Sequence, residues 1–285
     1  MSITGRTVND VYIIERIYLL LFSFHKFGCI MVSIKGGVMM FRRILAVGDV
    51  HGHMDALHAL WKKIEFDDKQ DMLVFLGDYI DRGPAPVEVL RFVRAQVERH
   101  AHVYALCGNH EAMMLGYIDA YGLGRTLRGH FDIWLMNGGK VTKKQLAALL
   151  AAEAEELVSF VRERPLYHRV RHDGQRILFV HAGVHPTRKD QTAEDLLWIR
   201  EPFLDHYRGS ELVVVGHTPT QLIGGHDMER NTPLFLKNNI IACDTGSFLP
   251  GGRISCVDVG RYLDLRSAGR TPTSAELAAC YVQST

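Results

Sequence analysis

The chain has 285 residues, 47% hydrophobic and 23% charged, with a formal net charge of +1. That balance suits a soluble globular protein able to bury one large core, and it excludes a generally basic partner of nucleic acid or anionic membrane. The five cysteines, Cys29, Cys107, Cys243, Cys256 and Cys280, form no C-x-x-C pair. A zinc knuckle or redox motif is therefore not expected, and an odd count without a clear secretory signal favours a reducing, cytoplasmic setting.

Residues 1–38 differ from the rest. The apolar run Ile17 to Phe24 is too short to span a bilayer, which takes roughly 20 residues, and no small-residue cleavage site follows it. An amphipathic arm is one reading. A purine-rich ribosome-binding stretch would encode Lys35-Gly36-Gly37, so the other reading is an N-terminal extension upstream of a true start at Met39 or Met40. The main domain is expected over residues 39–268, with a polar tail at 269–285 expected to be disordered.

From Arg42 strands and helices alternate. Ile44 to Val47 is a strand, and Met54 to Ile64 a helix with Leu57, Leu60, Trp61 and Ile64 on one face. Met72 to Leu76 is a second buried strand, and Pro86 to Arg99 a second helix. Val103 to Cys107 is a third strand, where Cys107 reads as an apolar filler, and Glu111 to Tyr121 is helical. Such alternation indicates a largely parallel sheet covered on both faces. Residues of about 122–165 break the pattern. Glycine-rich loops surround a short helix near Phe131 to Met136, then one long helix runs from Thr142 to Arg164 and stops at Pro165. This block reads as a mostly helical insertion. Strands resume at Ile177 to Val180, Leu212 to Val215 and Ile240 to Cys243. Ile254 to Val257 and Tyr262 to Leu265 read as neighbouring antiparallel strands.

Five strand ends carry chemistry. They are Gly48-Asp49-Val50-His51-Gly52, Gly77-Asp78-Tyr79-Ile80-Asp81-Arg82-Gly83, Gly108-Asn109-His110-Glu111, His181-Ala182-Gly183 and Gly216-His217-Thr218. Ligands of open α/β sheets bind beyond the carboxyl ends of strands. Any one of these aspartates alone would be a turn or helix cap, and any one histidine a hydrogen-bonded loop residue. Five independent coincidences at five strand ends are improbable. Asp49, His51, Asp78, Asn109, His181 and His217 together offer carboxylate, amide and imidazole donors. That mixture suits manganese, iron or zinc better than calcium. It is too large for one tetrahedral site, and two ions about 3.5–4 Å apart sharing Asp78 would absorb it.

These loops together resemble the phosphoprotein phosphatase branch of the calcineurin-like metallophosphoesterases, whose pattern is G-D-x-H-G, G-D-x-x-D-R-G, G-N-H-E and two histidine loops. The likeness covers about Phe41 to Leu265, and short length points to the bacterial and phage enzymes. It implies an α/β fold with a central β-sandwich flanked by helices, the second sheet being supplied by the late strands. It implies Asp49, His51 and Asp78 on one metal, and Asp78, Asn109, His181 and His217 on the other, manganese being favoured over iron or zinc. It further implies Arg82 as phosphate clamp, His110 as general acid and Asp81 as its support. A second clamp is expected at Arg200, in Leu196-Leu197-Trp198-Ile199-Arg200, with Arg188 and Arg208 as competitors. The implied reaction is direct hydrolysis of a phosphomonoester by a hydroxide bridging two metals. Asp81 and Glu111 favour a phosphoprotein or phosphopeptide substrate, with serine or threonine as the phosphorylated residue and tyrosine also admitted. The alternative is a dinucleoside polyphosphate such as diadenosine tetraphosphate, and the third reading a silent metal-binding scaffold. Neither a nucleic-acid polymer nor a membrane is an expected partner.

Overall fold

The computed structural model describes residues 41–123 and 132–285. The proposed start at Met39 or Met40, Cys29 and the first residue of the Phe131 helix lie outside the described residues. Two five-stranded sheets pack face to face.

The first sheet has β1 (Arg43–Val47), β2 (Asp71–Phe75) and β3 (Val103–Ala105) in parallel. Helices α1 (Met54–Ile64), α2 (Pro86–Arg99) and α3 (Asn109–Tyr121) follow these strands in turn. The second sheet is built around β5 (Gln175–Val180), β6 (Leu212–Val215) and β8 (Ile240–Ala242), also parallel, with antiparallel β4 (Tyr167–His172) and β7 (Leu234–Leu236) at its edges. Period-two alternation sorts the side chains. Ile44, Ala46, Met72 and Val74 meet Ile177, Phe179, Leu212, Val214 and Ile241 between the sheets. Leu45, Val47, Leu73 and Phe75 face the helices on the outer side of the first sheet. Leu178, Val180, Val213 and Val215 do the same on the second. Strands buried on both faces read as continuous apolar runs, which is why they were visible in sequence.

Four expectations change. The late strands do not build the second sheet: β9 (Ser255–Asp258) pairs antiparallel with β1 in the first. Tyr262 to Leu265 is not a strand but part of α8 (Val259–Ser267), whose N-cap Asp258 accepts a hydrogen bond from the Arg261 N–H. The tail is ordered. It forms α9 (Ser274–Ala278), capped by Thr273, and β10 (Tyr281–Gln283), which pairs with β9 at the sheet edge. The expected long helix is two, α4 (Lys140–Ala147) and α5 (Ala151–Arg162), broken around residues 148–150. Before α4 the chain kinks within Leu135–Gly139, where Asn137 and Gly138 leave helical geometry and Gly138 has φ 103°. Between α5 and the later strands lie α6 (Ala193–Trp198), α7 (Glu201–His206) and a 3-10 turn, Thr220–Leu222.

Candidate metal centre and active site

The parallel strands of both sheets deliver their following loops to one place. Gly48 N–H donates to Ser255 O, Gly216 N–H to His181 O, and His217 N–H to both oxygens of Asp49 at 3.1 Å, so loops of the two sheets interlock. The approach is close enough to require glycine. A Cβ on Gly108 would lie 2.2 Å from Asp78 Oδ1, and one on Gly216 would lie 2.2 Å from Asp49 Oδ1. His51, Asp78, Asp81, Arg82 and His217 all have left-handed backbone, with φ between 46° and 71°. Such backbone costs non-glycine residues roughly 1–2 kcal/mol each, and strain of this kind gathers at functional sites. Glu111 helps to hold it. Its carboxylate accepts from the N–H groups of Asp78, Tyr79, Ile80 and Gly108 at 2.8 to 3.3 Å, locking the second loop to the third.

All six expected metal-binding residues are buried and brought together. His51 donates through Nδ1 to Ile80 O (3.0 Å) and His181 through Nδ1 to Leu76 O (2.9 Å), which leaves Nε2 of each as a lone-pair donor. His217 donates through Nε2 to Trp198 O (3.3 Å), leaving Nδ1 free to ligate. His181 Nε2 and His217 Nδ1 then converge on Asn109 Oδ1 at 2.9 and 3.0 Å. Three lone pairs facing each other without a proton between them would repel, and a cation resolves them. Asp78 lies between two groups, 3.6 Å from His51 Nε2 through Oδ2 and 3.4 Å from His181 Nε2 through Oδ1. It belongs both to a cluster with His51 and His110 and to one with His181 and His217. The donor set therefore fits two divalent ions sharing a carboxylate.

The electrostatics agree. Burial, with Arg82 and His110, holds the His51 imidazole well below its ordinary range, and burial, Arg200 and His181 do the same for His217. Both rings are thus held neutral, each with a lone pair available. Burial, Asp244 and Asp78 push the Asp49 carboxyl well above its ordinary value. Burial would also raise Asp78, but His181, His110, His51 and His217 outweigh it and hold that carboxyl below its usual range. Burial raises the Cys107 thiol far from ionisation, as an apolar filler requires.

Beside the metal ligands lies a second constellation. His110 Nδ1 is 2.6 Å from Asp81 Oδ2, and its Nε2 faces the centre, 3.9 Å from Asp78 Oδ2. Arg82 Nη1 is 2.7 Å from His51 Nε2, and its guanidinium lies 3.8 Å over the Phe248 ring. Arg200 donates to His217 O and Thr218 Oγ1, both at 3.2 Å. Arg82 and Arg200 line one cleft of about 540 Å³, together with His217, Phe248, Leu222 and Ile223. The competing Arg188 is instead engaged with Asp195, and Arg208 with the carbonyls of Asp205 and Tyr207.

Sequence reasoning passed over four residues here. Asp244, at the end of β8, is buried with one oxygen unpartnered, and burial pushes its carboxyl up to about 6. Its signal was its place after a sixth apolar strand. Phe248 backs Arg82. Trp134 and Thr142 bond Asp81 from the insertion, and nothing local in the sequence marks them.

A calcineurin-like phosphoesterase family model matches residues 42–244. Serine/threonine-protein phosphatase 2 of Salmonella typhimurium is 31% identical over 220 residues, 74% of this chain and 91% of that protein. The symmetrical bis(5'-nucleosyl)-tetraphosphatase of Methylococcus capsulatus is 38% identical over 150 residues, 53% of this chain. That match spans only 46% of the tetraphosphatase. A crystal structure of a protein proposed to be a diadenosine tetraphosphatase aligns with a TM-score of 0.55 at 22% identity, covering 85% of this chain and 92% of that one, and carries the fold alone. With its interlocked strand-end loops and paired metal-ligand clusters, the chain belongs to the calcineurin-like phosphoesterase family and is a phosphoric ester hydrolase.

Proposed function

We propose that the protein is a serine/threonine protein phosphatase of the phosphoprotein phosphatase branch, tyrosine phosphate being admitted as well. The observation that carries this reading is the buried Asp81–His110 hydrogen bond beside Arg82. It gives a proton donor to the leaving oxygen of a phosphomonoester, which an alkoxide leaving group from serine or threonine requires. Similarity over 91% of a protein phosphatase, against 46% of a tetraphosphatase, points the same way.

Asp49, His51 and Asp78 would hold one divalent ion, and Asp78, Asn109, His181 and His217 the other, with manganese favoured over iron or zinc. Bound there, the ions supply Lewis acidity and an activated water. The remaining work falls to the chain. Arg82 and Arg200 grip phosphoryl oxygens from the cleft, where a planar guanidinium can hold two at once. His110 delivers its Nε2 proton to the departing oxygen. Asp81 keeps Nδ1 protonated and aims the ring.

A dinucleoside polyphosphate is the second reading, favoured by 38% identity across the half of the chain that matches the tetraphosphatase. A panel separates the readings. The manganese-loaded protein should hydrolyse p-nitrophenyl phosphate and a phosphothreonine peptide. Turnover of diadenosine tetraphosphate alone would overturn the protein substrate, and no turnover of any would leave a metal-binding scaffold.

A further inference from the structure

The helical insertion reaches the acid pair by four hydrogen bonds, one of them from Trp134 Nε1 to Asp81 Oδ1 at 3.1 Å. Thr142 Oγ1 donates to Asp81 Oδ1 at 2.6 Å and accepts from the Asp81 N–H at 3.0 Å, a closed reciprocal pair. Trp134 Nε1 donates to Asp81 Oδ2 at 2.9 Å, the oxygen that also faces His110 Nδ1 at 2.6 Å. Asp81, Thr142 and Trp134 are fully buried, and His110 is 2% exposed. No water competes for these bonds, so each donor fixes a carboxylate oxygen. A kink at Asn137 and Gly138, where the backbone leaves helical geometry, makes the arrangement possible. It brings Gly138 O to the Arg82 N–H at 3.3 Å. A Cβ on Gly138 would meet Arg82 Cγ at 2.8 Å, and one on Gly139 would meet the Trp134 ring at 2.6 Å.

We infer that Trp134 and Thr142 are positioning residues for proton donation, and that the insertion sets the Asp81 carboxylate so that its second oxygen aims the His110 ring at the leaving group. This deepens the phosphomonoesterase reading and rests on it for its kinetic consequence. Neither residue touches a metal ligand's donor atom or the cleft. Their loss should therefore act on the leaving-group step rather than on metal loading or binding of the ester. A misplacement of about 1 Å can cost on the order of 10²-fold in rate.

The test compares Thr142→Val, Thr142→Ser and Trp134→Phe with the wild-type manganese enzyme. Thr142→Val keeps shape and removes both bonds. Its kcat on a phosphothreonine peptide should fall about 10- to 50-fold, with KM nearly unchanged and full metal content. The fall on p-nitrophenyl phosphate, whose leaving group needs little protonation, should be several times smaller. Thr142→Ser, which keeps the hydroxyl, should recover most of the peptide rate. Equal losses on both esters, or a serine variant no better than valine, would overturn the inference. Should Thr142→Val not fold, Trp134→Phe, which removes one N–H and keeps the ring packing, must show the same leaving-group bias. The His110 Nδ1–H proton resonance, read on the diamagnetic zinc-loaded protein and identified by its absence in His110→Asn, gives a readout independent of turnover. It should move in Thr142→Val and Trp134→Phe. An unmoved resonance overturns the positioning. A resonance that moves in an enzyme inert toward every ester leaves the positioning standing and sinks the phosphatase reading instead.

Discussion

The metal-ligand side and the acid side of the site are held by different means. His51, His181 and His217 are oriented by backbone carbonyls of Ile80, Leu76 and Trp198. Those carbonyls belong to the loop after β2 and the end of α6, so changing a neighbouring side chain does not remove them. The acid pair is held by side chains, Trp134 and Thr142, from an insertion outside the sheets. The first arrangement is secured by the fold itself. The second depends on single residues and can be weakened one bond at a time while the metal ligands stay in place.

The largest expected effect breaks the metal side. Asp78→Asn removes the carboxylate common to both clusters, and activity should fall at least about 10³-fold, with loss of bound metal by elemental analysis. Asp81→Asn should instead retain both metals and lose about 10²-fold in kcat on alkyl phosphates. Equal metal content in the two variants would dissolve the distinction between the sides. His110→Asn sharpens it: the rate on a phosphothreonine peptide should drop far more than that on p-nitrophenyl phosphate, and equal drops would remove His110 as the acid. Arg200→Ala should lower kcat/KM about 10²-fold. Arg188→Ala, whose partner is Asp195 outside the cleft, should stay within twofold.

The smallest effect lies away from the site. His168 stacks on Tyr104 with ring centroids 4.0 Å apart, and burial holds its imidazole down at about 4. The unfolded chain binds a proton there near pH 6.5 and the folded chain only near 4. This residue therefore costs no stability above pH 6.5, and destabilises the fold progressively as pH falls to 4. The loss amounts to about 3 kcal/mol at most. His168→Gln should flatten the fall in melting temperature across that window, and an unchanged slope would show that another group is responsible.

The sequence was most legible where burial is two-sided. β1, β2 and β6 are apolar runs closed within three residues by glycine and a candidate ligand, β5 runs straight into His181, and β8 leads to Asp244. The edge strands of the second sheet lack that mark. β4, Tyr-His-Arg-Val-Arg-His, is half exposed and heavily charged, and β7 has only three residues. Tyr262-Leu263-Asp264-Leu265 mimicked strand alternation, although Asp258 was available as a helix cap. The break between α4 and α5 contains neither glycine nor proline, so no local signal announces it. Support of Asp81 by Trp134 and Thr142 is a long-range pairing between segments of independent pattern, which periodicity cannot register.

The place of β9 bears on the order of assembly. Every strand of the second sheet lies within residues 167–242, and β4 and β5 form a hairpin. β1 sits mid-sheet between β2 and β9, with Leu45 paired to Asp258. Pairings this distant in sequence form slowly, because the intervening chain must first surrender its freedom. A chain emerging from the ribosome can thus settle His181 and His217 on their sheet before β1 gains its second neighbour. Gly48, next to Asp49, gives its N–H to Ser255 O on β9, so the Asp49 loop would gain its last anchor only then. A centre drawing on both sheets would thus be completed late, when the first sheet closes.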